Sequence, residues 1–460
     1  MRTMRSNEAG MRGMTRREFL ARSAAGVGVP ACLRANGAES RRAGVRVAIV
    51  GLGNRSKSLL SECLQYGADV VALCDVDASM LPDPAKRVTA AGGRPRLCGD
   101  YRELLKAGDF DAVVIATPDH WHAPLCEAFM RAGKHVFCEK PLTRTIGEAR
   151  RLRELARRSP VVTQMGNQGS SYDTLRRSAE LVKAGALGEV REAHVWFSKP
   201  KATPAPEVDL AGEDPVPEGF NWDFWLGPAR PRPYKGFIYH PQKWRQWWDF
   251  GSGTLGDFGC HGFNLPMRAL DLGYPDRVEF VTAEPHKDRY VSGSRVTFHF
   301  RARGKLAPLA MHWYDGGEMP PEGIVSDLTA VFGKPPWSGS MLVGEKGTIY
   351  ADCWGAKAII RLKGEERFRG VLDHEATRDV PVTLPRTENH MLEWLDACAG
   401  GGKTFSDFDT GGRLTEITLA GVLALRLGRA IEWDGERMAV KGAPEAGAMI
   451  HPDYRRDWLV

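Results

Sequence analysis

The sequence predicts an α/β chain in two parts: an N-terminal doubly wound parallel sheet, then an α+β domain with a large open, mainly antiparallel sheet. Three observations predict it. An almost unbroken apolar strand, Val45-Arg46-Val47-Ala48-Ile49-Val50, runs straight into Gly51-Leu52-Gly53 and a helical stretch. Apolar strands and helical segments then alternate as far as Met165. Beyond that point the pattern changes to strands of alternating polarity with few helices between them.

The 460 residues are enough for two or three domains, and 43% hydrophobic with 26% charged residues is a globular composition. No internal run is long and apolar enough to span a bilayer. The formal charge of +6 is confined to residues 1–42, which hold nine Arg against three Glu, so the remaining chain is formally neutral. A neutral body offers no basic face to a phosphate backbone, and nucleic acid is not an expected partner.

The first 42 residues read as an address followed by a linker. Thr15-Arg16-Arg17-Glu18-Phe19-Leu20 precedes a mildly apolar stretch, Ala24 to Leu33, and then small residues. The pair Arg16-Arg17 followed by Phe-Leu resembles a twin-arginine signal, which implies the twin-arginine export machinery as a partner and a periplasmic location. The blander alternative is a basic tail. Ala35-Asn36-Gly37 offers a cleavage site; Val29-Pro30-Ala31-Cys32 resembles a lipoprotein box that its proline fits badly, and Met11 and Met14 are alternative starts. The nine cysteines are scattered, without a CxxC pair or His/Cys metal spacing. A protein exported after folding need not rely on disulfides, so mostly free, buried thiols are expected.

The first domain is assigned to residues 43–165. Gly51 allows a tight turn after the first strand, and Gly53 lets backbone approach a pyrophosphate at the start of the next helix, where Asn54 and Arg55 follow. Ser56 stands where a third glycine is usual and is expected to loosen helix–strand contact slightly. The strand Val70 to Cys74 ends in Asp75, about 20 residues on, where a carboxylate bonds a ribose 2′-hydroxyl. Strand, glycine turn, helix, strand and acid together predict a Rossmann domain for NAD, with NADP disfavoured because Asp75 repels a 2′-phosphate. Asp111 to Ala116 is a further strand, and it delivers Thr117 and Pro118 to the same sheet edge. His120 and His122 follow. With no third ligand nearby they are read as cofactor contacts or helix caps, and no metal site is expected. His135-Val136-Phe137-Cys138 is the next strand. Glu139 and Lys140 fall at its end and Pro141 closes it. Lys140 is then either a solvated strand-end lysine or a ligand-facing one.

The second domain is assigned to residues 166–435, with strands at Glu189 to Phe197, Arg277 to Ala283, Arg295 to Arg301, Pro308 to Tyr314, Ser340 to Val343 and Gly347 to Ala351. A long segment between the first two carries Trp222, Trp225, Trp244, Trp247 and Trp248, which argue against disorder. Most are expected to staple the segment onto the sheet. One or two are candidates for a sugar platform, and Trp244 with Arg245 is the pair assigned to substrate. Asp257 and His261 lie four residues apart in a helical stretch, one face presenting an acid beside an imidazole. The alternative is a helix cap and a packed ring.

The glycine turn, Thr117-Pro118…His122, Glu139-Lys140-Pro141 and Asp257…His261 together resemble the glucose–fructose oxidoreductase, inositol dehydrogenase and rhizopine-catabolism family (Gfo/Idh/MocA) over residues 44 to 435. The resemblance implies that Lys140 touches both cofactor and substrate, its bond to Pro141 being a candidate cis peptide. It implies that Asp257 and His261 are the acid and the proton-transferring histidine, and that Gln164 and Asn167 lie by the substrate. It further implies a homo-oligomer formed through the open sheet. The tail, 436–460, with Tyr454-Arg455-Arg456-Asp457-Trp458, falls outside it.

The expected function is an NAD-dependent oxidoreductase acting on a sugar, glycoside or cyclitol hydroxyl. A compartment outside the cytoplasmic membrane offers little free NAD, so the cofactor is expected to be tightly bound and recycled internally. The alternative is an NAD-dependent glycosidase or lyase that works through transient C3 oxidation and elimination. A non-catalytic sugar- or dinucleotide-sensing protein is the reading from another class, and the intact Lys140, Asp257 and His261 argue against it.

Overall fold

The first sheet contains β1 (Arg46–Val50), β2 (Asp69–Cys74), β3 (Arg96–Cys98), β4 (Ala112–Ile115), β5 (His135–Cys138) and β6 (Thr163–Met165). All pair in parallel, in the order β3-β2-β1-β4-β5-β6. Helices cover both faces, so the strands are buried on both sides and their residues are apolar almost without break. These helices are α1 (Asn54–Gln65), α2 (Pro82–Ala90), α3 (Tyr101–Ala107), α4 (Asp119–Arg131) and α5 (Ile146–Arg158). Thr145 and Glu148 form a reciprocal cap that starts α5. The strand order reverses between β1 and β4, and a crevice opens there at the C-terminal strand ends. This computed structural model describes residues 44–199, 210–281, 286–290, 293–455 and 458, so the export signal and the lipoprotein box assigned to residues 1–42 lie outside it.

The second sheet has ten strands: β7 (Val190–Phe197), β8 (Arg277–Val281), β9 (Arg295–Phe300), β10 (Leu309–Asp315), β11 (Ser338–Gly344), β12 (Gly347–Ala351), β13 (Ala358–Leu362), β14 (Arg369–Gly370), β15 (Ile431–Asp434) and β16 (Ala439–Val440). It is antiparallel apart from the central β7–β10 pair. Its helices are α6 (Asp173–Lys183), α7 (Gly253–Gly262), α8 (Asn264–Ala269), α9 (Glu322–Phe332), α10 (His390–Asp396) and α11 (Phe408–Leu427). Leu328 of α9 seats on Trp196, Tyr314, Met341 and Tyr350, which covers part of one sheet face.

The chain does not leave the first domain for good at residue 165. Met391, Trp394 and Leu395 of α10 complete the core around Leu59, Leu60 and Phe137. Helix α11 packs along α5, and its Leu414, Ile417 and Leu423 are buried. Glu416 of α11 takes Arg153 Nη1 at 2.7 Å and Arg150 Nη2 at 2.8 Å, and both arginines also reach the Tyr274 hydroxyl.

The Trp-rich segment differs from expectation in where it is anchored. Trp225, Trp244, Trp247, Phe250 and Tyr239 form a small core of their own, with Val76 of the first domain packed against it. The rings of Trp222 and Trp225 stack at 4.8 Å. The backbone carbonyl of Trp225 accepts from Trp121 Nε1 at 3.1 Å and lies 2.9 Å from His120 Nε2. The segment is thus stapled largely to the edge of the first sheet; of its five tryptophans Trp248 joins the main core, against which Phe224 also packs. All eight described cysteines are free and seven are buried. No helix among the described residues is long and apolar enough to cross a membrane.

Candidate active site

The crevice at the strand ends is a cleft of about 810 Å³. Its floor is the glycine turn. Gly51 has φ +85°, and a Cβ there would lie 2.7 Å from backbone atoms of Ala116 and Thr117, so only glycine fits. A Cβ on Gly53 would meet nothing within 4 Å: backbone here faces open space. No side chain caps the start of α1, which leaves its first N–H groups for an anion. Ser56 donates to the Gly53 carbonyl at 2.7 Å, so the residue in the third glycine's place braces the turn.

Asp75 ends β2 at the cleft wall. Its two oxygens accept from the Leu52 N–H (2.6 Å) and the Asp77 N–H (2.9 Å). Burial pushes its carboxyl up, and those two N–H groups oppose the shift. Arg55 Nε donates to Glu139 at 2.7 Å, tying the start of α1 to the end of β5. Glu139 is held close: a Cβ on Gly166 would lie 2.6 Å from its Oε1. Asn54, Thr117, Pro118 and His122 also line the cleft. His122 has no ring nitrogen free for a cofactor, because Nδ1 lies 2.8 Å from the Pro141 carbonyl and Nε2 lies 3.0 Å from that of Thr117. It joins the two strand-end turns and so positions the Lys140-Pro141 peptide, which is cis.

At the far end of the cleft Lys140 meets α7. Its Nζ pairs with Asp257 Oδ1 and donates to the Asp257 main-chain carbonyl at 3.1 Å. Arg245 lies 3.6 Å from the other carboxylate oxygen and stacks over Trp244, and both line the cleft. His261 sits one turn further along α7, beside Phe258 and Trp354. The cleft lining on this helix ends at Asp257, one turn short of it.

Two residues assigned to substrate are placed elsewhere. Gln164 Nε2 donates to the His390 carbonyl at 2.6 Å, and Asn167 Oδ1 accepts from Ser406 at 2.6 Å. Both are fully buried and outside the cleft lining, so they brace β6 and its turn against the returning chain. Sequence reasoning missed Asp119, whose buried carboxyl lines the cleft. It also missed His240, which lies 3.1 Å from Asp77 and lines the cleft. Nothing local distinguishes Asp119 from an ordinary first residue of a helix after proline.

Comparison with known proteins agrees with this layout. Residues 45–167 match a family described as oxidoreductase, NAD-binding Rossmann fold, and residues 206–307 match that family's C-terminal alpha/beta domain. A glycosyl hydrolase family 109 protein of Streptomyces filamentosus is 39% identical over 250 residues, 53% of this chain and 44% of the relative. The chain spans about half the length of the curated relatives it matches. Among solved structures, levoglucosan dehydrogenase in complex with NADH superposes with TM-score 0.56 at 17% identity, covering 84% of this chain and 98% of that one. An aldose-aldose oxidoreductase from Caulobacter crescentus gives 0.57 at 17% identity, covering 84% and 99%.

Proposed function

We propose, taking this chain as a member of the Gfo/Idh/MocA oxidoreductase family, that it oxidises a hydroxyl of a sugar, glycoside or cyclitol with NAD that stays bound and is recycled in place. The observation that carries this reading is the Lys140–Asp257 pair at the end of a cleft whose floor is a glycine turn. NAD bound there supplies the hydride acceptor and donor. Gly51, Gly53 and the open start of α1 would hold its pyrophosphate, and Asp75 its ribose. Asp75 favours NAD over NADP, since its carboxylate repels a 2′-phosphate. Lys140 polarises the substrate oxygen, and Asp257 holds the ammonium in place. Arg245 on Trp244 offers a cation and an apolar face to a sugar ring. The resemblance gives proton transfer to His261, but that ring lies one turn beyond the cleft lining, whereas Asp257 lies within it.

The relative named for glycoside hydrolysis favours a second reading, an NAD-dependent glycosidase or lyase in which oxidation at C3 is transient and bond cleavage intervenes. A sensing protein without catalysis would have no need of a buried ammonium–carboxylate pair at the reacting end of the cleft. We further infer export by the twin-arginine route to the periplasm, from Arg16-Arg17-Glu18-Phe19-Leu20, and self-association through the open sheet.

The test is to denature the purified protein, quantify released NAD(H), and then supply sugars and aryl glycosides without added NAD. About one NAD per chain with turnover supports a resident, recycled cofactor. Released aglycone without net NADH favours the glycosidase; oxidised sugar with NADH left on the protein favours the oxidoreductase. An empty protein that turns over only with added NAD overturns internal recycling.

A further inference from the structure

Asp119 is the first residue of α4 and only 3% exposed, yet it lines the same cleft as Lys140, Asp257 and Arg245. Its Oδ2 accepts from the Ser252 hydroxyl at 2.9 Å. Ser252 stands immediately before α7, so the helix that carries Asp257 also supplies Asp119's donor. Two buried carboxylates therefore line one cleft, in which Lys140 and Arg245 pair with Asp257. Like charges in such a place do not ionise independently. Burial and then the charge of Asp257 push the Asp119 carboxyl up to about 7, against the opposing pull of Arg245, Ser252 and Lys140.

The inference rests on reading the cleft as a redox site. Oxidation of a hydroxyl breaks a C–H bond, whose electron pair leaves with the hydride to the cofactor, and an O–H bond, whose proton goes to the protein. When the hydride returns in a recycled reaction, a proton must return with it. We propose that the Asp119–Asp257 pair stores that proton between the two half-reactions, with Asp119 as its holder. Above the midpoint of Asp119 the pair starts ionised beside Lys140 and Arg245, takes the hydroxyl proton as the carbonyl forms, and gives it back as the carbonyl is reduced. No external base or acid is consumed. A group that titrates near neutral pH suits passage in both directions, and burial keeps the proton from exchanging freely with solvent.

Infrared spectroscopy of the resting, cofactor-loaded protein tests this without any substrate. The expected result is a deuterium-sensitive carboxylic-acid C=O band that titrates around neutral pH and is missing in Asp119→Asn. Asp257→Asn moves its midpoint down by roughly one to three pH units, since the charge that raises it is gone. Ser252→Ala moves it up and does not depend on Asp119→Asn folding. Absence of such a band, or its persistence in Asp119→Asn, overturns the proposal. So does a sugar that reduces the bound NAD above that midpoint while the band stays absent. If the band titrates as described and no sugar or glycoside ever alters the bound NAD, it is the assigned function that fails.

Discussion

Lys140 and Asp257 stand 117 residues apart in the chain and are joined twice, by a salt bridge and by a bond from Nζ to the Asp257 carbonyl at 3.1 Å. Lys140 follows β5 of the first sheet and Asp257 lies on α7, so this end of the cleft forms only when the two parts are docked.

On the proposed reading, removing the ammonium takes away the donor to the substrate oxygen. Lys140→Ala is expected to lower turnover of bound NAD by about 10²–10³-fold while NAD content changes little, and to lower Tm, because the buried Asp257 loses the ammonium it pairs with. Single-turnover reduction of the resident cofactor reads the effect directly. Unchanged turnover would remove Lys140 from the mechanism.

The glycine turn tolerates no side chain at its first position. Gly51→Ala adds a methyl 2.7 Å from backbone at a φ of +85°. It should cost on the order of 1–3 kcal/mol and strip the protein of NAD. Denaturant midpoints and released nucleotide per chain check both parts.

Among the described residues Glu416 is the carboxylate that Arg150 and Arg153 share, and it is buried. Among the described residues, Glu416→Gln leaves Arg153 paired with the half-exposed Asp409. A loss of about 3–5 kcal/mol is expected, because an uncompensated buried charge remains. Urea unfolding measures it. A neutral outcome would mean that α5 and α11 are held by apolar contact alone.

Acid should weaken the fold through buried imidazoles, His120 and His390 foremost among them. Burial pushes His120 and His390 down to about 3, whereas in the unfolded chain they protonate near about 6.5. A folded value below the unfolded one means their stability is complete above about pH 6.5 and lost as pH falls toward 3. Asp119, whose folded value is raised, acts with the opposite sign between about pH 4 and 7. The comparison is therefore made in Asp119→Asn, where urea midpoints should fall with acid, and fall less steeply once His390→Asn is added.

Much of the first domain was legible because a strand buried on both faces writes its apolar run into the sequence. β3 was not, since Arg96–Cys98 is three residues with a charged start and an exposed leucine. β14 and β16 escaped because they are only two residues long, whereas β13, Ala358–Leu362, carries an apolar run that could have been read. Helix α11 is buried nearly all round, so it lacks the one-sided periodicity that marks a surface helix. In the site, Asp75, Lys140 and Asp257 could be read because position at a strand end or helix face is local information. Gln164, Asn167 and Asp119 could not. Their roles depend on His390, Ser406 and Ser252, which lie 226, 239 and 133 residues away.

The indole rings of Trp121, Trp225 and Trp244 line the cleft assigned to the nicotinamide cofactor. Reduced nicotinamide absorbs where tryptophan emits, and the oxidised form does not. The wall of the cleft is thus an optical antenna: ultraviolet excitation of these rings should pass by resonance transfer to NADH and reappear as blue light. The protein should signal each half-reaction in its own fluorescence, with no dye attached.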